Sequence, residues 1–336
     1  MDIRYLTDGY DEGIARLKAI DAPLNFVFIT DVHHRLESDG RLDLSSIPAI
    51  QSIEYILQRV PNIQCVVSGG DVGDDYNPDP DKYRATFKEY MDALYALSRP
   101  VHHCVGNHDD RLGRSHEYGW NTDYVMRPKE MHDLCMKYNP TEENYYYADI
   151  DTAEQNYRLV FLNTSDYLLA TDESGQIITN EHGEISHKQA DWYEREALNT
   201  DRKIVVFSHC PIHNAGIYGS TPDADITPYD DVFNAPRVYY HSKRCENVVA
   251  MIAGHVHYDN VAFDEHLPTI TTAAGYVRRW DGGVPERVIG TPTEALFDVF
   301  SIKGDRLYIT RFGAGEHREL PLLRLRSTRW NRPYVK

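Results

Sequence analysis

The chain has 336 residues, 41% of them hydrophobic, with 35 basic and 52 acidic side chains and a formal charge of -17. That is enough apolar material for a sizeable core, and a field this negative repels nucleic-acid backbones at long range, so no long nucleic acid is expected as a partner. No apolar run reaches the roughly 18 residues of a membrane span, and the opening Met1-Asp2-Ile3-Arg4-Tyr5 has no basic region followed by a long apolar one, so no membrane association is expected.

Residues 1–23 read as an N-terminal extension. From Leu24 to Thr30 runs the first of six short apolar stretches rich in Val, Ile and Phe. The others are Gln64 to Ser68, Val101 to Val105, Arg158 to Asn163, Lys203 to Ser208 and Val248 to Ala253. Continuous runs of this kind predict strands buried on both faces. Between them, Ile50, Ile53, Leu57 and Val60 form one apolar stripe at helical spacing, and Tyr83, Phe87, Met91 and Leu94 form another. Pro61 and Pro100 stop these helices before the next strand.

After Gly254 the pattern is β: Thr269 to Thr272, Leu296 to Ile302, and Arg306 to Arg311, with Lys303-Gly304-Asp305 as a turn. Such a tail fits a second sheet packed on the first. Residues 317–336 read as a C-terminal tail, with Arg324, Arg326, Arg329 and Arg332 as solvated or packed charges.

Chemistry-bearing residues follow directly on these strands. They are Asp31-Val32-His33, Gly70-Asp71, Gly106-Asn107-His108-Asp109, His209, and Gly254-His255-Val256-His257. Taken alone, each block has an ordinary reading: a capping Asp beside a surface His, a Gly-Asp turn, a polar residue at a strand end. Taken together, each would have to fall by accident after an apolar run. Loops at the carboxyl ends of strands are where open α/β sheets build their sites. The set supplies carboxylate oxygens, an amide oxygen and imidazole nitrogens, the mixture that suits two hard-to-borderline divalent metals sharing a site. Asp31 and His33, at alternate positions, point to one face. All these residues must converge, so a single domain is expected over residues 24–316.

The order Asp-X-His, Gly-Asp, Gly-Asn-His-Asp, His, Gly-His-X-His resembles that of the calcineurin-like metallophosphoesterases, from about Leu24 to Arg311. Members of the class III cyclic nucleotide phosphodiesterase type are among the similar enzymes. The resemblance implies an α/β fold, a four-layer αββα sandwich of two mixed sheets flanked by helices. It also implies two divalent cations, with manganese, iron(II) or zinc as candidates. Asp31, His33 and His257 would hold the first, Asn107, His209 and His255 the second, and Asp71 would bridge them. A metal-bridging hydroxide would then attack phosphorus, as two metals about 3.5 to 4 Å apart can lower the pKa of a water to about 7. His108 would stabilise the transition state or protonate the leaving oxygen, with Asp109 holding its ring. Purple acid phosphatases within this superfamily carry a ligating tyrosine three residues after the bridging Asp. That position is Asp74 here, so their charge-transfer iron site is not expected.

The expected reaction is hydrolysis of a small phosphomonoester or phosphodiester, a nucleotide being one candidate. A nuclease of the same fold is disfavoured by the charge and by the lack of a basic, aromatic-interleaved groove. A catalytically silent binding scaffold need not keep His108. Arg111 and His213 are candidate phosphate contacts, with Arg278 and Arg279 weaker ones. The stretches Asp110 to Tyr147, Tyr167 to His187 and Cys210 to Arg244 exceed what the sandwich needs. Their aromatics, among them Trp120, Tyr124, Tyr145, Tyr218, Tyr229 and Tyr239, would stack on a base or pack beneath the loops. The cysteines are odd in number and without a Cys-X-X-Cys pair, which favours reduced thiols and a cytoplasmic location.

Overall fold

A computed structural model of the protein describes residues 3–35, 46–75, 77–112, 119, 121–167, 169–178, 183–212, 232–276 and 284–323. The apolar runs become strands of two six-stranded sheets. In the first, β1 (Leu24–Ile29), β2 (Cys65–Ser68) and β3 (Val101–His103) are parallel. β10 (Phe297–Lys303) pairs antiparallel with β1, and β11 (Arg306–Phe312) and β12 (Arg318–Pro321) follow it outward as a meander. The second sheet runs β4-β5-β6-β7-β9-β8. Its centre is the parallel set β5 (Tyr157–Phe161), β6 (Lys203–Ser208), β7 (Val248–Ala253) and β9 (Leu267–Thr271). Its edges are the antiparallel β4 (Tyr146–Ile150) and β8 (Asn260–Asp264).

Every residue of β1 and β5 is buried, because each sheet is covered twice. Side chains alternate between the two coverings. Leu159, Phe161, Val205, Phe207, Ala250 and Ile252 face the interior shared with the first sheet, while Val160, Leu162, Ile204, Val206 and Met251 join the cluster beneath the outer helices. Aromatic rings fill the space between the sheets. Phe207 meets Phe26 edge-on at 5.2 Å and lies against Phe161 at 5.3 Å. A fully buried Phe contributes roughly 1.5 to 3 kcal/mol, so these rings fix how the sheets are stacked.

Helices α3 (Ile47–Leu57) and α4 (Pro80–Tyr95) cover the first sheet with the apolar stripes read from the sequence. Asp79 starts α4 by accepting from the N–H groups of Asp81 and Lys82, with Pro80 in the first turn. Helix α5 (Pro128–Cys135) packs on α4, and α6 (His187–Trp192) and α7 (Ala235–Arg244) cover the second sheet. The architecture is the expected αββα sandwich of two mixed sheets.

The strands after Gly254 do not form a sheet of their own. β8 and β9 extend the second sheet, whereas β10 to β12 return to β1, because the antiparallel register of β10 on β1 buries both of their apolar faces. The flanking segments belong to the same body. α1 (Arg4–Thr7) and α2 (Tyr10–Ile20) place Leu6, Tyr10, Ile14 and Leu17 in the main core, and Gly13 lets α2 approach Phe312, whose ring would stand 2.7 Å from a Cβ. Arg318–Pro321 is the sixth strand of the first sheet.

Candidate metal centre

The loops following β1, β2, β3, β6 and β7 meet at one end of the sandwich. Their closeness explains the glycines at 70, 106 and 254. A Cβ on Gly106 would stand 2.2 Å from the N and Oδ1 atoms of Asp71, and one on Gly254 would stand 2.0 Å from Thr30 Oγ1 and 2.4 Å from Asp31 Oδ2. Only glycine fits where backbones pass this close. Five of the converging residues also adopt left-handed backbone: Asp31, His33, Asp71, His255 and His257, with φ between 41 and 71°. Such conformations are costly for residues with a Cβ and collect where a site requires them. Inter-loop hydrogen bonds hold them, Asp31 N to Gly70 O at 2.9 Å and His33 N to Asp71 O at 3.0 Å.

Two donor groups result. Asp31, His33 and His257 bring their ligand atoms within 4.8 Å of one another, as do Asp31, Asp71 and His209. His33 Nε2 lies 3.1 Å from His257 Nε2, which lies 3.3 Å from Asp31 Oδ1. On the other side His209 Nε2 lies 2.9 Å from Asn107 Oδ1, 3.2 Å from His255 Nδ1 and 3.2 Å from Asp71 Oδ2. Asp71 stands between the groups, its Oδ2 also 3.7 Å from His33 Nε2. All seven sequence-predicted ligands are thus gathered in one place.

Hydrogen bonds set their orientation. His209 Nδ1 donates to Gly69 O at 2.8 Å, which turns Nε2 toward Asn107 and Asp71. Asp31 Oδ2 accepts from Thr30 Oγ1 at 2.7 Å and His255 N at 2.9 Å, whereas the buried Oδ1 accepts no hydrogen bond from the described residues. Electrostatics favour positive charge here. Burial alone would lower the His209 pKa, but the Asp71, Asp31 and Asp109 carboxylates outweigh it and raise it to about 9. Asp31 is likewise pushed up by burial yet held well below the usual carboxylate range, chiefly by His257. His255 is pushed far down by burial and by His209, leaving a neutral imidazole able to ligate. Imidazole nitrogens facing each other at about 3 Å around an unsatisfied carboxylate oxygen fit cations between them, and the O and N donors suit manganese or zinc.

His108 stands at the rim, its side chain 28% exposed, with Nε2 3.9 Å from Asp71 Oδ2. Its ring is not held by Asp109. The Asp109 carboxylate points into the protein and accepts from the N–H groups of Asp71, Val72, Gly73 and Gly106, tying the β2 loop to the β3 loop. The residue beside the ring is Asp75, whose Oδ2 lies 2.9 Å from His108 Nδ1. Sequence reasoning missed Asp75. The only available signal was its place four residues after Asp71, within a run of acidic residues.

Arg111 offers no exposed atom to a ligand. It is fully buried, donates to Asn77 O and lies beneath the rings of Tyr83 and Tyr124. Asp74 is paired with Arg35 at 2.7 Å. Cys210 falls with His209 and His255 in a third group within 4.8 Å, its thiol pushed up to about 12 by burial and so neutral. Among the loop aromatics, Tyr145 packs on Trp192 at 4.9 Å and Tyr239 bonds Asp264 at 2.5 Å, both packing roles. His213, Arg278, Arg279, Trp120, Tyr218 and Tyr229 lie outside the described residues.

Two imidazole-carboxylate donor groups sharing a central aspartate, at the strand ends of an αββα sandwich, define the class of binuclear metallohydrolases. The chain belongs to the calcineurin-like phosphoesterase family, whose model matches residues 24–259. It is 25% identical over 270 residues to the manganese-dependent ADP-ribose/CDP-alcohol diphosphatase of Danio rerio, covering 70% of this chain and 80% of that protein. To the Bos taurus protein of the same name it is 24% identical over 244 residues, covering 61% and 67%. Among solved structures, a dimetal phosphatase from Danio rerio superposes with a TM-score of 0.61 at 19% identity, covering 90% of this chain and all of that one. A purple acid phosphatase from yellow lupin gives 0.54 at 13% identity, over 89% and 53% of the two chains. The protein is a metal-dependent phosphoric ester hydrolase that uses two divalent cations, manganese being consistent with its relatives. Among the described residues no helix is long and apolar enough to cross a membrane.

Proposed function

We propose that Asp31, His33 and His257 hold one cation and Asn107, His209 and His255 the other, with Asp71 between them. The observation that carries this reading is the position of Asp71 Oδ2, 3.7 Å from His33 Nε2 and 3.2 Å from His209 Nε2. Cations there supply Lewis acidity toward the phosphoryl oxygens and the attacking water. A cation there would displace the proton that the carboxylates favour on His209, after which Asn107, His209 and His255 would all be neutral donors and would leave that cation electrophilic. His108 Nδ1 faces Asp75, so Nε2 is the atom turned to the substrate, where it holds a proton for the leaving oxygen. Asp109 acts at one remove, fixing the backbone that carries Asp71 and Asn107.

The substrate in this reading is a small organic phosphate. A nucleoside diphosphate derivative comes first, because the relatives are named for ADP-ribose and CDP-alcohols and the negative chain disfavours polymers. Iron(II) or zinc would also satisfy the donors. The cysteines at 65, 104, 135, 210 and 245 are free, which suits a reducing compartment, and we place the protein in the cytoplasm. The test is turnover of aryl phosphomonoesters and diesters, then of ADP-ribose and CDP-choline, by metal-stripped protein resupplied with manganese. Manganese-dependent release of a nucleoside monophosphate is expected. Absence of turnover with every substrate and cation would overturn the reading.

A further inference from the structure

The cation groups draw on both sheets. Asp31 and His33 follow β1 of the first, and His257 follows β7 of the second. A site split in this way depends on the spacing between the sheets, and one buried charge cluster spans that gap beside it. Asp259 lies two residues beyond His257. Its Oδ1 accepts from Ala273 N at 3.0 Å and from Arg311 Nη2 at 2.9 Å, and its Oδ2 lies 2.8 Å from the same nitrogen. Arg311 belongs to β11 of the opposite sheet. Its Nε and Nη2 grip Asp298 of β10 at 2.8 Å each, and Nη1 donates to Ala314 O at 2.8 Å. Arg318 of β12 adds a contact of 3.2 Å to Asp298 and one of 3.8 Å to Asp259. The side chains of Arg311 and Asp298 are 1% and 0% exposed, so water screens this cluster poorly. Two arginines balance two aspartates, and removing either sign leaves a buried charge uncompensated.

We propose that the Asp259 and Arg311 pair is a cross-sheet clamp that positions His255 and His257 for cation binding. The residues are positioning residues, and the inference rests on the ligand assignment above. A planar guanidinium suits the task, since its fork engages Asp298 on one edge while Nη2 reaches Asp259. The left-handed backbone of His255 and His257, φ 71 and 51°, needs such external support, because it is unfavourable when left to itself.

The test is the manganese affinity of metal-stripped protein, measured by titration calorimetry at a temperature where melting curves show each variant folded. Asp259→Asn keeps the shape but loses the charge, and about 10-fold weaker binding is expected, the low end of the cost of losing a direct partner of a ligating residue, because Asp259 acts through the backbone that carries His257. Arg311→Lys, with one nitrogen that cannot serve both aspartates, should shift affinity in the same direction and stands in if Asp259→Asn does not fold. Leu307→Ala, which opens a cavity in the same strand, controls for simple destabilisation and should bind as the wild type does. Wild-type affinity in both clamp variants, or an equal loss in Leu307→Ala, would overturn the clamp. A wild-type protein that binds no manganese would overturn the ligand assignment instead, and the clamp with it.

Discussion

His108 Nδ1 lies 2.9 Å from Asp75 Oδ2, and the Asp75 side chain is 1% exposed. A buried carboxylate this close to Nδ1 orients the ring, so Asp75 governs which nitrogen faces the substrate. His108→Ala should therefore keep its manganese and lose about 100- to 10,000-fold in turnover of an aryl phosphate. Asp75→Asn should fall between this variant and the wild type, again with metal retained. Elemental analysis beside steady-state kinetics checks both. Loss of metal in either variant would place these residues among the ligands, and full turnover would remove them from the mechanism.

Gly254 has no room for a methyl group, with Thr30 Oγ1 2.0 Å and Asp31 Oδ2 2.4 Å from where a Cβ would sit. Gly254→Ala must push the His255 loop away from Asp31, separating donors drawn from the two sheets. We expect loss of bound manganese together with a lower melting temperature. A variant that binds two ions as the wild type does would show that the loops are not as close as described.

Asp110 carries a pH signature separate from the ligands. Burial raises its pKa from an ordinary 3.8 to about 7, against the opposing contacts of Tyr167 and the Leu112 N–H. The folded state therefore prefers the neutral acid. That preference is fully felt below pH 4 and is lost as pH rises through 7. At about 1.4 kcal/mol per pKa unit the effect is of the order of 4 kcal/mol. Asp110→Asn cannot ionise, so its melting temperature relative to the wild type should climb between pH 5 and pH 8. A difference that stays constant across that range would refute the assignment.

Much of the fold was legible because the parallel strands are buried on both faces and so appear as uninterrupted apolar runs. β6 and β7 fall within the bounds that the runs predict. β4, β8 and β12 were not foreseen, since these three edge strands are half-exposed and lack that signature. α2 was passed over as an extension, although Tyr10, Ile14 and Leu17 lie at helical spacing. The candidate ligands could be read because their order along the chain, each block following an apolar run, resembles that of a known family. What could not be read is the direction of a carboxylate. Asp109 adjoins His108 in the chain but turns to four backbone N–H groups, and Asp75 reaches the ring from another loop. Likewise, nothing in the position of Arg111 after the Gly-Asn-His-Asp block signals that it is buried beneath Tyr83 and Tyr124.

The central claim is that side chains from five loops share two cations through the carboxylate of Asp71. Counting manganese ions per chain by elemental analysis after equilibrium dialysis, for the wild type and for Asp71→Asn, tests it most directly. The account predicts two ions in the wild type and the loss of most of them in the variant. Two ions retained in Asp71→Asn, or none in the wild type, would contradict it.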